Sequence, residues 1–178
     1  FLAGVMAPAG PAFAVNAVKF GAKAALAIDS SGPAVELSRE NAKLNGVEAG
    51  VTCDEADAEA VLNSFAAGRQ PFKPDMILLD PPSLVPSKKH LAKALRAYVK
   101  LNSLALRALP PGGLLATSTC SHHVDREMFV EVLRHAQAKA QRPARLLALR
   151  GQAADHPVLL AMPETEYLHF ALLEAISA

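Results

Sequence analysis

Residues 76–83 read MILLDPPS, four apolar residues followed by an acid, two prolines and a serine. A short apolar run without polar alternation is typical of a parallel strand that is covered on both faces. Proline has no backbone N–H and cannot continue a hydrogen-bonded ladder, so the strand should end before the prolines. The stretch therefore predicts a buried strand with the carboxylate of Asp80 at its carboxyl end.

The same alternation of apolar strand and helix continues on both sides of this stretch. Ser31 is suited to cap a helix with Pro33 in its first turn, and Asn45-Gly46 is suited to end it. About seven strands interleaved with helices predict a doubly wound, Rossmann-like α/β fold, with a mostly parallel sheet covered by helices on both faces. The predicted strands are 2–7, 24–28, 51–53, 76–79, 114–118, 146–149 and 168–173, and the helices are 13–20, 31–45, 58–66, 88–109 and 124–139.

The charge balance hides a segregated basic region. Lysine and arginine total 18 against 17 acids in 178 residues, and a net charge of +1 argues by itself against a strongly basic nucleic-acid binder. However, no acid occurs between Asp80 and Asp125. The predicted helix 88–109 carries a basic stripe that is either a solvated helix face or a surface for a phosphate backbone. The basic stripe consists of Lys89, Lys93, Arg96, Lys100 and Arg107.

The composition excludes several classes of protein. Hydrophobic residues make up 51% of the chain, which predicts a globular protein with its own core. Cys53 and Cys120 are too few for a disulfide framework and favour a reducing, cytoplasmic setting. No apolar run reaches the length of a membrane span, so we expect no membrane partner. His122 and His123 lack the ligand spacing of a metal site, so we expect no metal.

Acids follow two of the other predicted strands. Ligands of such sheets bind at the carboxyl ends of the strands, where Asp29 would bind the hydroxyls of a ribose or serve only as an acid at a helix N-terminus. Asp57 would accept the amino group of an adenine or cap the helix from residue 58. The first turn, APAGPA at 7–12, keeps only Gly10 of a glycine-rich fingerprint, which argues against a nicotinamide or flavin dehydrogenase.

Two further strand ends carry candidate chemistry. Pro81 and Pro82 hold the chain extended after Asp80, so a flat base has room to stack there, although an ordinary turn is the alternative. Cys120 follows the fifth strand in the polar segment TSTCS, where it is either a nucleophile or a buried structural thiol. Cys53 lies inside a strand and is expected to be structural.

Several segments together resemble the large-subunit ribosomal RNA methyltransferase I family. The Asp-Pro-Pro turn alone is shared with many amino-methylating enzymes, whereas its combination with the other segments is more specific. The family comprises S-adenosylmethionine-dependent RNA cytosine-C5 methyltransferases of the class I fold. The segments are Asp80-Pro81-Pro82 through Lys88, the stretch around Tyr98 to Asn102, Gly112-Gly113, STCS at 118–121 and QAADHP at 152–157.

The resemblance covers nearly the whole chain and implies its architecture and partners. It implies a seven-stranded sheet whose last strand is antiparallel, with residues 1–178 forming one catalytic domain. It also implies an RNA-binding domain of the PUA type upstream, outside this chain. The chain begins on Phe1 rather than Met and is expected to be a piece of a longer protein. The implied cofactor is S-adenosylmethionine and the implied partner is ribosomal RNA, with a homodimer as one possible assembly.

The resemblance also implies roles for individual residues. Asp29 resembles the ribose ligand, Asp57 the adenine ligand and Cys120 the nucleophile. Asp80 resembles the family's catalytic acid, which hydrogen-bonds or protonates N3 of the cytosine. With the residue patterns above, the predicted sites are Cys120 and Asp80 for catalysis; Gly10, Asp29, Asp57, Asp80 and Pro81 for the cofactor; and Pro82, Ser83, Lys88, Lys93, Arg96, Lys100 and His156 for the substrate.

The implied chemistry suits these residue types and leaves two alternatives open. Cytosine C5 is a weak nucleophile, and addition of a thiolate to C6 activates it, once the base has left its stack. The base that later removes the C5 proton is not assigned. One alternative is an amino-methyltransferase acting on guanine or adenine of RNA. The other is an RNA-binding module with weakened catalysis, because Pro8 and Pro11 alter the first turn.

Overall fold

Seven strands form one sheet within residues 2–6, 12–85 and 88–177, which are the residues that the computed structural model describes. The sheet order is β3-β2-β1-β4-β5-β7-β6. The first five strands run parallel, and β7 pairs antiparallel with both β5 and β6. The strands are β1 (Leu2–Met6), β2 (Ala24–Asp29), β3 (Val51–Glu55), β4 (Met76–Leu79), β5 (Leu114–Thr119), β6 (Ala144–Arg150) and β7 (His169–Ala175).

The helices follow the local signals closely. Ser31 caps the second helix, where its Oγ accepts the N–H of Ala34 at 3.4 Å, and Gly46 ends the turn after that helix at a φ of +66°. The predicted helix 88–109 begins with a 3-10 turn at Lys88–His90 before the α-helix proper. The helices are α1 (Ala12–Lys19), α2 (Gly32–Leu44), α3 (Ala58–Ala66), α4 (Leu91–Ala108) and α5 (Arg126–Ala140).

Helices cover both faces of the sheet. Successive β4 side chains point to opposite faces, so Ile77 and Leu79 enter the main core while Leu78 contacts the smaller one. The main core includes the fully buried Tyr98 and Phe129, and α4 packs there between α3 and α5. The helix α1 packs over the smaller core, beside α2. This is the doubly wound arrangement that the apolar strands predicted.

The topology gathers the strand ends at one edge. The order reverses between β1 and β4, and in such sheets the crevice for a ligand opens at this point, beyond the carboxyl ends of the strands. Asp29, Asp57, Asp80 and Cys120 each lie at or just after the end of a parallel strand. Within the described part of the chain, no helix is long and apolar enough to cross a membrane, and no cluster of three or more His, Cys, Asp or Glu side chains could hold a metal.

Candidate functional site

A cleft of about 290 Å³ opens at the carboxyl ends of β2, β3 and β4. Its floor is apolar, with Ile28 and Leu79 from the sheet, while carboxylates and prolines form its rim. The arrangement combines a flat apolar surface with hydrogen-bonding groups at the edge, which suits a nucleoside-sized ligand. The predicted residues that line the cleft are Asp29, Asp57, Pro81 and Pro82, and α4 adds Ala97 and Leu101.

Asp29 has one carboxylate oxygen that is hydrogen-bonded to the backbone and one without a hydrogen-bond partner among the described residues. Its Oδ1 accepts the backbone N–H of Ser31 at 2.8 Å, which fixes the side chain at the end of β2. Its Oδ2 is buried and has no hydrogen-bond partner among the described residues. A buried carboxylate oxygen without a partner is costly, and a ligand hydroxyl donating to it would remove that cost. Asp29 therefore fits a group such as a ribose.

Asp57 has one of the two roles that its sequence position left open, because it caps α3, and it also lines the cleft. Its Oδ2 accepts the backbone N–H of Ala60 at 2.8 Å, so the side chain caps α3. The residue is exposed and lines the cleft at the same time. The cap uses one oxygen for this bond, and a carboxylate has further acceptor capacity for a ligand. The capping role is therefore observed, whereas the adenine contact remains a prediction.

The turn after β4 is fixed by the end of β5. Asp80 Oδ1 accepts a short hydrogen bond from the hydroxyl of Ser118, the residue before the last in β5. Pro81 is buried, while Pro82 and Ser83 are exposed. The prolines thus form a wall of the cleft, and the carboxylate of Asp80 is held against the neighbouring strand rather than left free to rotate.

Cys120 lies directly after β5, half-buried and without a disulfide. Burial raises the pKa of its thiol above the ordinary value, and the negative charge of Asp80 raises this pKa further. Backbone N–H groups of Cys120 and Ser83 oppose the increase by stabilising the thiolate. Burial and the charge of Asp80 both favour the protonated thiol over the thiolate, and Asp80 is the carboxylate that acts on it. Cys53, by contrast, is buried inside β3, as expected for a structural cysteine.

A chain of hydroxyl groups surrounds the segment that carries Cys120. The Tyr98 hydroxyl of α4 lies 3.0 Å from both Thr119 Oγ1 and Ser121 Oγ. Ser121 Oγ also lies 3.1 Å from Ser83 Oγ in the turn after β4. Tyr98, Thr119 and Ser121 are fully buried. This hydroxyl chain, Thr119-Tyr98-Ser121-Ser83, connects α4, the end of β5 and the turn after β4.

The α4 residues of the basic stripe lie on the exposed side of that helix, which also supplies Ala97 and Leu101 to the cleft. Lys93 and Arg96 are exposed, and Lys93 precedes the cleft residue Ala97 by one helical turn. Lys100 differs, because its Nζ lies 2.5 Å from Glu59 Oε1 of α3. The expectation of an unmixed basic face therefore holds along α4 but not in space, since the fold supplies an acid from a neighbouring helix.

His156 lies in the exposed segment between β6 and β7 and is connected through Tyr167 to His122, just after β5. Its Nδ1 is 3.3 Å from the Tyr167 hydroxyl. The Tyr167 ring packs against the His122 ring with centroids 5.4 Å apart, and His122 Nδ1 is 3.1 Å from the Glu164 carbonyl oxygen. His122 follows Cys120 by two residues. The predicted substrate residue His156 therefore belongs to the same edge of the sheet.

Two predicted site residues are not fully described by the structure, and several contacts of the site were not predicted from the sequence. Gly10 and the side chain of Lys88 lie outside the described residues. Sequence reasoning did not assign Ser118 as the partner of Asp80, or the Tyr98 hydroxyl as the partner of Thr119 and Ser121. The only signal was the run of hydroxyl residues around Cys120, whose partners are far away along the chain.

The fold is shared with solved methyltransferase structures. A Streptococcus mutans protein assigned as a SAM-dependent methyltransferase superposes with a TM-score of 0.80 at 23% identity, covering 97% of this chain and 44% of that chain. NSun6 from Pyrococcus horikoshii gives a TM-score of 0.72 at 19% identity, covering 99% and 48%. These likenesses define the class of the fold as methyltransferase-like α/β, as predicted.

Sequence comparison identifies more specific relatives. Residues 10–67 match the family model of ribosomal protein L11 methyltransferase (PrmA). The ribosomal RNA large subunit methyltransferase I of Aeromonas salmonicida is 37% identical over 92% of this chain and 41% of its own length. The protein of that name from Erwinia tasmaniensis is 35% identical over 88% and 39%. The chain thus spans about two fifths of these relatives, and the predicted similarity to them is confirmed.

Proposed function

We propose that this chain uses S-adenosylmethionine to methylate C5 of a cytosine in ribosomal RNA, through a covalent bond between Cys120 and C6 of the base. One observation carries the proposal: Asp80 and Cys120 directly follow two adjacent parallel strands, β4 and β5, and the charge of Asp80 acts on the thiol. The names and coverage of the relatives support methyl transfer to ribosomal RNA. Cytosine C5 as the target rests on the chemistry of these two side chains.

The cleft is the proposed site for the cofactor, which would supply an electrophilic methyl group on sulfur. Asp29 would accept hydrogen bonds from the ribose hydroxyls through its unpartnered Oδ2. Asp57 would accept the adenine amino group beside its capping bond, and Pro81 would pack against the purine ring. Gly10 and Asp80 belong to the proposed cofactor site through the family resemblance.

Cys120 is the proposed nucleophile and Asp80 the proposed acid. The thiol must lose its proton before it adds to C6, and Asp80 is the carboxylate whose charge acts on it. A proton passed from the thiol to Asp80 and on to N3 would neutralise the charge that develops on the ring. Ser118 would orient Asp80 for this transfer through its hydrogen bond to Oδ1.

The remaining predicted residues are the proposed contacts to the RNA substrate. Pro82 and Ser83 would contact the extruded base, while Lys88, Lys93 and Arg96 would bind the phosphate backbone, with Lys100 contributing when it is released from Glu59. His156 would contact the RNA from the segment between β6 and β7. We also propose that residues 1–178 form one catalytic domain and that the protein is located in the cytoplasm.

The test is a methylation assay on ribosomal RNA with mapping of the modified base. We expect 5-methylcytosine from the parent protein and a loss of about 1,000-fold or more in Cys120→Ala. Cys53→Ala is the matched control and should retain activity. Methylation that survives Cys120→Ala would exclude the covalent mechanism and favour amino methylation. A parent protein that binds RNA but no S-adenosylmethionine at millimolar concentration would instead indicate an inactive module.

A further inference from the structure

The Tyr98 hydroxyl holds both chain neighbours of Cys120. Tyr98 is 0% exposed, and its hydroxyl accepts a hydrogen bond from Thr119 Oγ1 at 3.0 Å while lying 3.0 Å from Ser121 Oγ. The Ser121 N–H also points back to Thr119 Oγ1 at 3.4 Å. The backbone of Cys120 is thus closed into a small loop whose two ends are bonded to one phenol oxygen.

The direction of these hydrogen bonds shows that the network around Cys120 continues to the turn after β4. A phenol has a single proton, so when Thr119 donates to Tyr98, Tyr98 donates to Ser121. Ser121 then has its own hydroxyl proton for Ser83 at 3.1 Å. Ser83 is also the residue whose backbone N–H stabilises the Cys120 thiolate. The four hydroxyls therefore share one consistent arrangement that depends on the central phenol.

We propose that the Tyr98 hydroxyl is the positioning group for the Cys120 thiol, and that it ties this thiol to the helix that bears the basic stripe. The inference rests on the proposed function, in which Cys120 is the nucleophile. Tyr98 itself is buried and does not touch the substrate, so it acts through Thr119 and Ser121. Small displacements of a reacting atom are costly in enzymes, which is the physical reason for such a fixed loop.

The experiment compares Tyr98→Phe with a matched control, Ser103→Ala, which removes another fully buried hydroxyl of α4 that bonds only within the helix. Methylation kinetics give kcat and the KM for RNA. Iodoacetamide labelling with peptide mapping gives the alkylation rate of Cys120 against pH, with the buried Cys53 as an internal reference for unfolding. Ser121→Ala, which breaks the same link from its other end, is the second variant should Tyr98→Phe fold poorly.

We expect kcat to fall about 10- to 100-fold in Tyr98→Phe with an unchanged KM for RNA. Cys120 alkylation at pH 7.5 should rise about threefold or more, because a released loop is less buried and its thiol pKa falls, while Cys53 labelling stays constant. Values of kcat and alkylation within about twofold of the parent, or the same changes in Ser103→Ala, would overturn the proposal. The alkylation assay needs no RNA, so it tests the positioning role of Tyr98 independently of methylation. An active Cys120→Ala variant would disprove the covalent mechanism without deciding whether Tyr98 positions the thiol.

Discussion

The two halves of the carboxyl edge are built in different ways. At the ends of β2 and β3, Asp29 and Asp57 are held by backbone N–H groups two and three residues further along the chain. At the ends of β4 and β5, Asp80 is held by Ser118, which is 38 residues away. The β2–β3 half is thus a set of local caps and turns, whereas the β4–β5 half exists only when distant segments pack together.

The two halves suit different tasks, binding in the β2–β3 half and chemistry in the β4–β5 half. In the β2–β3 half, Asp57 is exposed at the cleft and Asp29 keeps a buried oxygen without a partner among the described residues, which suits binding. In the β4–β5 half, the fully buried hydroxyls of Tyr98, Thr119 and Ser121 are hydrogen-bonded around the segment that carries Cys120, which suits a reacting atom. Substitutions in the β4–β5 half should therefore affect rates most, and substitutions in the β2–β3 half should affect affinity or stability.

After loss of the nucleophile Cys120 itself, removing the charge of Asp80 is expected to have the largest effect. Asp80→Asn should lower the methylation rate about 100- to 10,000-fold, the range for loss of an acid–base group. It should also lower the pKa of the Cys120 thiol, because the carboxylate charge contributes to raising that pKa. The pH profile of Cys120 alkylation measures this shift, and a profile that moves to higher pH would contradict the assignment.

Within the β2–β3 half, Asp29 should control affinity for the cofactor. Asp29→Ala removes the unpartnered Oδ2 and should weaken S-adenosylmethionine binding about 10- to 100-fold, as expected for a hydrogen bond to a charged group. Calorimetry measures the dissociation constant. Asp75→Ala, a change of the same kind at an exposed acid before β4, is the control, and equal affinity in both variants would remove Asp29 from the site.

Charge reversal in the basic stripe tests whether α4 binds RNA beside the two halves of the carboxyl edge. Reversal of Lys93 and Arg96 to Glu should weaken RNA binding and make the slope of log K against log salt shallower by about two, one for each lost phosphate contact. Lys23→Glu at the opposite edge, just before β2, should leave the slope unchanged. A double reversal with the parent slope would identify the stripe as a solvated face.

Two substitutions at Asp57 separate its capping role from its proposed role in ligand binding. Asp57→Asn keeps a side chain that caps helices well, whereas Asp57→Ala should cost about 1 kcal/mol of stability. Denaturant unfolding measures this difference. If Asp57 also binds adenine through its charge, Asp57→Asn should weaken cofactor binding with little change in stability. Equal cofactor affinity in the parent and in Asp57→Asn would leave only the capping role.

The ion pair between Lys100 and Glu59 should give the smallest effect, because both side chains are well exposed, at 48% and 38%. Glu59→Gln should change stability by less than about 1 kcal/mol, as for other exposed pairs. It should also strengthen RNA binding slightly at low salt, because Lys100 becomes available to a phosphate. Weaker RNA binding in Glu59→Gln would show that the pair, rather than the free lysine, is the useful state.

The strands and helices could be predicted because their signals are local. Residues 58–66 and 76–79 form the helix and the strand that the sequence predicted, and Ser31 caps α2 as expected. Strand ends were less accurate: β3 continues to Glu55 and β6 begins at Ala144. Both strands lie at the edges of the sheet and carry exposed residues, so their ends lack the clear apolar run of β4.

The α/β class, the strand ends that carry acids and the thiol, and the basic stripe could be derived from the amino-acid sequence, because apolar periodicity, caps and prolines act within a few residues. The ion pair of Glu59 with Lys100 and the hydrogen bond from Ser118 to Asp80 arise only from the tertiary fold. It alone brought the Tyr98 hydroxyl to both neighbours of Cys120. These partners are 21 to 41 residues apart along the chain, and their encounter depends on the order of the strands and on how α4 packs between α3 and α5.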